Sequence, residues 1–145
     1  MNCPIRNISK GLTLVSGPIS SGKSLWAESL IQQEKNVLYI STSDPLIKDH
    51  NWLNKIERHK LRRPTDWLLI ESKGDLANDI RNNKSSDIIL IDSLGGYITS
   101  HLTEDNSDWD LLQFDLLKAI DNFQGILIIV IEQVGWGVVP ASNVG

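Results

Sequence analysis

The stretch "LTLVSGPISSGKSLWAESL", Leu12 to Leu30, decides the fold. Its opening, "LTLVS" (Leu12–Ser16), reads as a short buried strand. "SLWAESLIQQ" (Ser24–Gln33) has the apolar spacing of a helix. Between them lies Gly17, Pro18, Ile19, Ser20, Ser21, Gly22, Lys23, Ser24, a full match to G-x-x-x-x-G-K-[ST]. Strand, glycine-rich turn and helix in that order are the context in which this pattern binds phosphate. Glycines let backbone N–H groups turn inward around phosphate oxygens, and the next helix aims its positive end at the same place. Lys23 supplies a charge for the β- and γ-phosphates, and the Ser24 hydroxyl is a ligand for Mg²⁺.

Further along the chain, strand and helix patterns alternate. "NVLYIST" (Asn36–Thr42), "DWLLIE" (Asp66–Glu71), "DIILIDSL" (Asp87–Leu94) and "GILIIVIE" (Gly125–Glu132) read as strands. Helices are predicted from about Asp49 to Leu61, closed by Pro64, and over "GDLANDIRNN" (Gly74–Asn83). A third is predicted over Ser107–Phe123, where Trp109, Leu112, Leu116, Ile120 and Phe123 recur at helical spacing and Ser107 is the expected cap. Strands without polar alternation are buried on both faces, and alternation with helices implies crossover units. The fold class is therefore α/β, three layers around a mostly parallel sheet. Ligands of such sheets sit beyond the carboxyl ends of the strands. Asp92 ends "IILI" at such a position, where P-loop proteins carry the aspartate of the Mg²⁺ shell.

Composition narrows the function. The chain has 145 residues, enough for one domain with a real core, and a net charge of −4, which argues against a broad nucleic-acid binder. The longest apolar run, "ILIIVI", is strand-sized, so no membrane span is expected. A single cysteine, Cys3, suits a reducing cytoplasm. Positive charge is concentrated in "KIERHKLRRP" (Lys55–Pro64), where five of ten residues are Lys or Arg. On a helix, Lys55, Arg58, His59 and Arg62 share one face. Cations so close repel one another unless an anion relieves them, and a polyphosphate is such an anion. Like charge also pushes a histidine toward its neutral, nucleophilic form. Most Lys/Arg runs on helices are only solvated faces, so for this stretch alone a solvated face is the commoner reading and the site reading stays open.

Taken together, these blocks resemble the bifunctional adenosylcobinamide kinase/adenosylcobinamide-phosphate guanylyltransferase family of cobalamin biosynthesis. "LTLVSGPISSGKSLWAESL" is similar to the family's opening, and "VLYISTS" (Val37–Ser43) to its second strand. "KIERHKLRRPTDW" matches its Ile-x-x-His-x-x-x-Arg-Pro-x-x-Trp signature through Ile56, His59, Arg63, Pro64 and Trp67. "IILIDSLGGYIT" and "VGWGVVP" (Val134–Pro140) follow in the family's order. Where the family commonly reads Asn-Glu before the last block, this chain reads Glu132-Gln133.

The resemblance implies a P-loop NTPase (RecA-like) fold and two reactions. The hydroxyl of adenosylcobinamide, a corrinoid, is phosphorylated from a nucleoside triphosphate, ATP or GTP. GMP from GTP is then passed to the product through a guanylylated histidine, which His59 matches. By the same matching, nucleotide contacts fall on Gly17–Ser24, Ser41, Thr42, Ser43, Lys60, Leu61, Arg62, Arg63, Glu71 and Asp92, with Ser24 and Asp92 on Mg²⁺ and Lys23 catalytic beside His59. A homo-oligomer, a trimer, is implied as well. So is a single domain over residues 1–145 that stops short of the family's C-terminal helix and strand, leaving the last strand as an edge. Two other readings stay open. Another small-molecule P-loop kinase would explain the loop and Asp92 but not "KIERHKLRRP" or "VGWGVVP". The other is a nucleotide-binding protein without catalysis, made degenerate by the missing C-terminal elements and by Gln133.

Overall fold

In the computed structural model, which describes residues 9–42, 61 and 63–133, five strands alternate with helices. The chain runs β1 (Gly11–Gly17), α1 (Lys23–Leu30), β2 (Val37–Ser41), β3 (Leu68–Glu71), α2 (Leu76–Asn82), β4 (Ile88–Asp92), α3 (Leu94–Ser100), α4 (Asn106–Asn122) and β5 (Ile126–Glu132). The helix predicted over 49–61, apart from Leu61, and the 134–140 block lie outside the described residues.

All strand pairs are parallel, in the order β1-β5-β4-β2-β3. One strand, β5, therefore separates the strand that enters the phosphate loop from the strand that ends in Asp92, the order of a RecA-like P-loop sheet. This corrects one expectation: the last strand is not an edge. "ILIIVI" is apolar on both faces, so an interior slot buries its centre, Leu127 to Val130, whereas β1 leaves Leu12 and Leu14 half-exposed at the rim. Leu68 and Leu69 are likewise exposed on β3, the other edge.

The period of two along each strand divides the core into two layers. Leu38, Ile40, Ile89, Ile91, Leu127 and Ile129 point to one face, where α2, α3 and α4 cover them with Leu76, Ile80, Tyr97, Leu116, Ala119 and Phe123. Val37, Tyr39, Ile88, Leu90, Ile128 and Val130 point to the other, against Ala27 and Ile31 of the α1 segment and Trp67. At about 1.5–3 kcal/mol for each large apolar side chain fully buried, these layers are the main stabilising term.

Helix ends follow local chemistry. The Asp75 side chain accepts from the Asn78 N–H at 3.0 Å and starts α2. For α4 the cap is Asp105 rather than Ser107. Asp105 accepts from the Asp108 N–H at 2.9 Å, and the Ser107 hydroxyl, already one residue inside the helix, donates to Asp105 at 2.6 Å. Helix α3 was not expected, because Gly95 and Gly96 are poor helix formers. It packs by close approach instead: a Cβ on Gly96 would sit 2.7 Å from the Thr42 carbonyl oxygen. No helix among the described residues is long and apolar enough to cross a membrane.

Candidate nucleotide and phosphoryl-transfer site

The carboxyl ends of the strands bring the candidate residues together. Register pairs Gly17 of β1 with Glu132 of β5, and Ser41 of β2 with both Asp92 of β4 and Glu71 of β3. The loop after β1 turns at Ser20 (φ 60°) and Gly22 (φ 84°), so Gly22 adopts a conformation that favours glycine just where α1 begins. No side chain caps α1, so its first N–H groups are left for a ligand. Lys23 Nζ lies 3.2 Å from the Pro18 carbonyl, folded back over the loop it serves.

Ser24 and Asp92 lie side by side. The Ser24 hydroxyl donates to Asp92 Oδ1 at 3.1 Å, across the width of β5. A hydroxyl and a carboxylate side by side are hard oxygen donors of the kind Mg²⁺ takes. No group of three or more His, Cys, Asp or Glu that could hold a metal exists among the described residues.

Asp92 is held from its other side by Tyr39, which the motifs did not mark. The buried Tyr39 phenol donates to Asp92 Oδ2 at 2.5 Å. Burial, with Asp92 beside it, holds the phenol well above its ordinary pKa, so it stays a donor. The Arg63 guanidinium lies over the Tyr39 ring, 3.5 Å from the centroid, and its Nε stands 3.4 Å from Glu28 Oε1 on α1. Arg63 therefore ties the end of the basic stretch to α1 and, through Tyr39, to Asp92. Arg63 and Glu28 also line a cleft of about 160 Å³ with Trp67. That is smaller than the roughly 300 Å³ at which small-molecule pockets begin, so it is a packing crevice rather than a nucleotide pocket.

A second cluster joins β2, β4 and β5. The Ser93 N–H donates to Thr42 Oγ1 at 3.0 Å, and the Thr42 hydroxyl in turn donates to the Ser93 carbonyl. The Ser93 hydroxyl donates to Glu132 Oε2 at 2.8 Å. Glu132 Oε1 lies 3.8 Å from Lys23 Nζ. Gly95 leaves room for this carboxylate, since a Cβ there would overlap Glu132 Oε2. Although Gln133 is exposed, the residue before it thus places a carboxylate at the loop.

The amino-acid sequence of residues 13–145 matches the family model described as cobinamide kinase / cobinamide phosphate guanyltransferase. The chain belongs to that family. It is 29% identical over 147 aligned residues to the bifunctional adenosylcobalamin biosynthesis protein CobU of Escherichia coli (strain K12), covering 91% of this chain and 80% of that one. It is 32% identical to CobU of Salmonella typhimurium, with the same coverage, and 32% identical to the bifunctional protein CobP of Pseudomonas aeruginosa, covering 90% and 76%. The cobinamide kinase fold thus carries Gly17–Ser24, Ser41, Thr42, Glu71 and Asp92 on one rim of the sheet. Glu71 stands at the far edge, on β3. Leu61 is almost fully exposed. His59, Lys60, Arg62 and Ser43 lie outside the described residues.

His101, in the turn that follows α3, is packed by its side chain. Its Nε2 lies 2.8 Å from the Gly74 carbonyl and its ring is 4.7 Å from that of Tyr97. Tyr39, Ser93 and Glu132 were missed because each sits in or beside an apolar run. For Ser93 and Glu132 the available signal was a polar atom at the carboxyl end of a strand; Tyr39, in the middle of β2, carried none.

Proposed function

We propose that this chain phosphorylates the side-chain hydroxyl of adenosylcobinamide from a nucleoside triphosphate, then transfers GMP from GTP to adenosylcobinamide phosphate through His59, giving adenosyl-GDP-cobinamide and pyrophosphate. The observation that carries this reading is the meeting of Ser24 with Asp92 beside the Lys23 loop, in a chain that matches the family over residues 13–145. The backbone N–H groups of Gly17–Ser24 and the start of α1 orient the phosphates, and Lys23 neutralises charge that spreads over their oxygens during transfer. Ser24 and Asp92 would hold Mg²⁺, which supplies charge neutralisation across the β- and γ-phosphates. Tyr39 and Ser24 fix the Asp92 carboxylate from opposite sides. Arg63 anchors the segment whose "KIERHKLRRP" signature includes His59. The single cysteine suits work in the cytoplasm, and the family resemblance suggests a symmetric trimer.

Incubation with α-labelled GTP and Mg²⁺ tests the second reaction. The expected label is acid-labile and alkali-stable, as for a phosphoramidate, and is absent from His59→Ala although that variant still binds GTP. A label that survives His59→Ala removes His59 from the mechanism. GTP binding without any label in the natural chain supports a non-catalytic nucleotide binder.

A further inference from the structure

We infer that Glu132 is the proton acceptor for the hydroxyl that attacks the γ-phosphate; this rests on the kinase reading above. Phosphorylating an alcohol releases a proton, and a carboxylate within reach of the attacking oxygen takes it most directly. Among the described residues, three carboxylates stand at strand ends on this rim: Glu71, Asp92 and Glu132. Asp92 has both oxygens engaged, by Ser24 and by Tyr39. Glu71 is three strands from β5, roughly 14 Å at the usual strand spacing. Glu132 lies on β5, beside the loop strand, with Oε1 turned toward Lys23 and about a quarter of the side chain open to solvent.

The way Glu132 is held supports the role. Ser93 grips Oε2 at 2.8 Å, and Gly95 forgoes a side chain so that the carboxylate fits. Lys23, by contrast, is 3.8 Å from Oε1, beyond a normal hydrogen bond. When a triphosphate draws Lys23 to its own oxygens, Ser93 keeps Glu132 where it is, and Oε1 is left facing the phosphate end of the site. A carboxylate beside a polyphosphate is electrostatically costly, and accepting a proton removes that cost as the reaction proceeds. In the step, the alcohol oxygen bonds to the γ-phosphorus as the bond from phosphorus to the β–γ bridging oxygen breaks. The nucleoside diphosphate leaves with that electron pair, and the hydroxyl proton passes to Glu132 Oε1.

The test compares the full chain with Glu132→Gln and Glu132→Asp, using adenosylcobinamide and ATP for phosphorylation and α-labelled GTP for protein labelling. Glu132→Gln is expected to lose about 10²- to 10⁴-fold in phosphorylation rate. It should bind nucleotide at least as tightly as the natural chain and still take the GMP label, because that transfer uses no substrate hydroxyl. Glu132→Asp, which keeps a base on a shorter stem, should fall between, and it carries the test if the glutamine variant does not fold. Phosphorylation by Glu132→Gln within about threefold of the natural rate overturns the assignment and leaves the kinase reading intact. Loss of labelling together with phosphorylation in a folded variant also overturns it, since Glu132 would then serve the phosphate site in general. A natural chain that phosphorylates no corrinoid defeats the kinase reading and this inference together.

Discussion

Removing one oxygen from Tyr39 tests the link between the core and the site. In Tyr39→Phe the ring stays, so its packing and the Arg63 stack 3.5 Å above it are preserved. What disappears is the donor to Asp92 Oδ2 at 2.5 Å. Hydrogen bonds to charged groups contribute about 1.5–3 kcal/mol, and here the acceptor is left with one donor on a partly buried carboxylate. At roughly 3–4 °C per kcal/mol for a chain of this size, the thermal midpoint should fall by about 5–12 °C.

The pH dependence has a definite sign. Burial and Asp92 raise the phenol's pKa in the folded state above its ordinary value near 10. A group raised on folding contributes its full stability below the unfolded pKa and loses it as pH rises through the folded pKa. The difference between the natural chain and Tyr39→Phe should therefore be constant from neutral pH to about 9 and shrink above about 10. Urea denaturation at several pH values measures it. Because Asp92 would swing more freely, the Mg²⁺ concentration that half-saturates GTP labelling should also rise, by about 10- to 100-fold. A stability change below about 0.5 kcal/mol, or a difference that grows in alkali, would refute the argument that this hydroxyl holds Asp92.

Two further changes probe the frame. Gly96→Ala places a Cβ 2.7 Å from the Thr42 carbonyl oxygen, a backbone atom that cannot swing aside. It should cost about 1–3 kcal/mol by denaturation and weaken the Thr42–Ser93 contacts. Asp105→Ala removes the α4 cap, so the thermal midpoint should drop at neutral pH. The Ser107 hydroxyl and the Asp108 N–H lower the Asp105 pKa, so its contribution is present above the unfolded aspartate value. The deficit should vanish as pH falls through the folded value, which scanning calorimetry across acid pH would show.

Short-range chemistry made much of this protein readable as a string. "LTLVSGPISSGKS" predicts strand, loop and helix because backbone N–H geometry and glycine conformations are local matters, and β1 and α1 formed within a residue or three of expectation. Unbroken apolar runs predicted strands covered on both sides, and the two core layers bear that out for β2, β4 and β5. Asp92 at the end of "IILI" was legible as a residue of the site's rim, and its carboxylate lies 3.1 Å from the Ser24 hydroxyl. Order within the sheet was not readable, because strand pairing joins residues far apart in sequence. Only the folded chain put β5 between β1 and β4 and left β1, not the last strand, at an edge. The same holds for Tyr39 against Asp92, 53 positions apart, and for Ser93 against Glu132, 39 apart. A phenol in one apolar strand and a glutamate ending another carry no mutual signal in one dimension. They become a site only when parallel register brings the strand ends to a common rim.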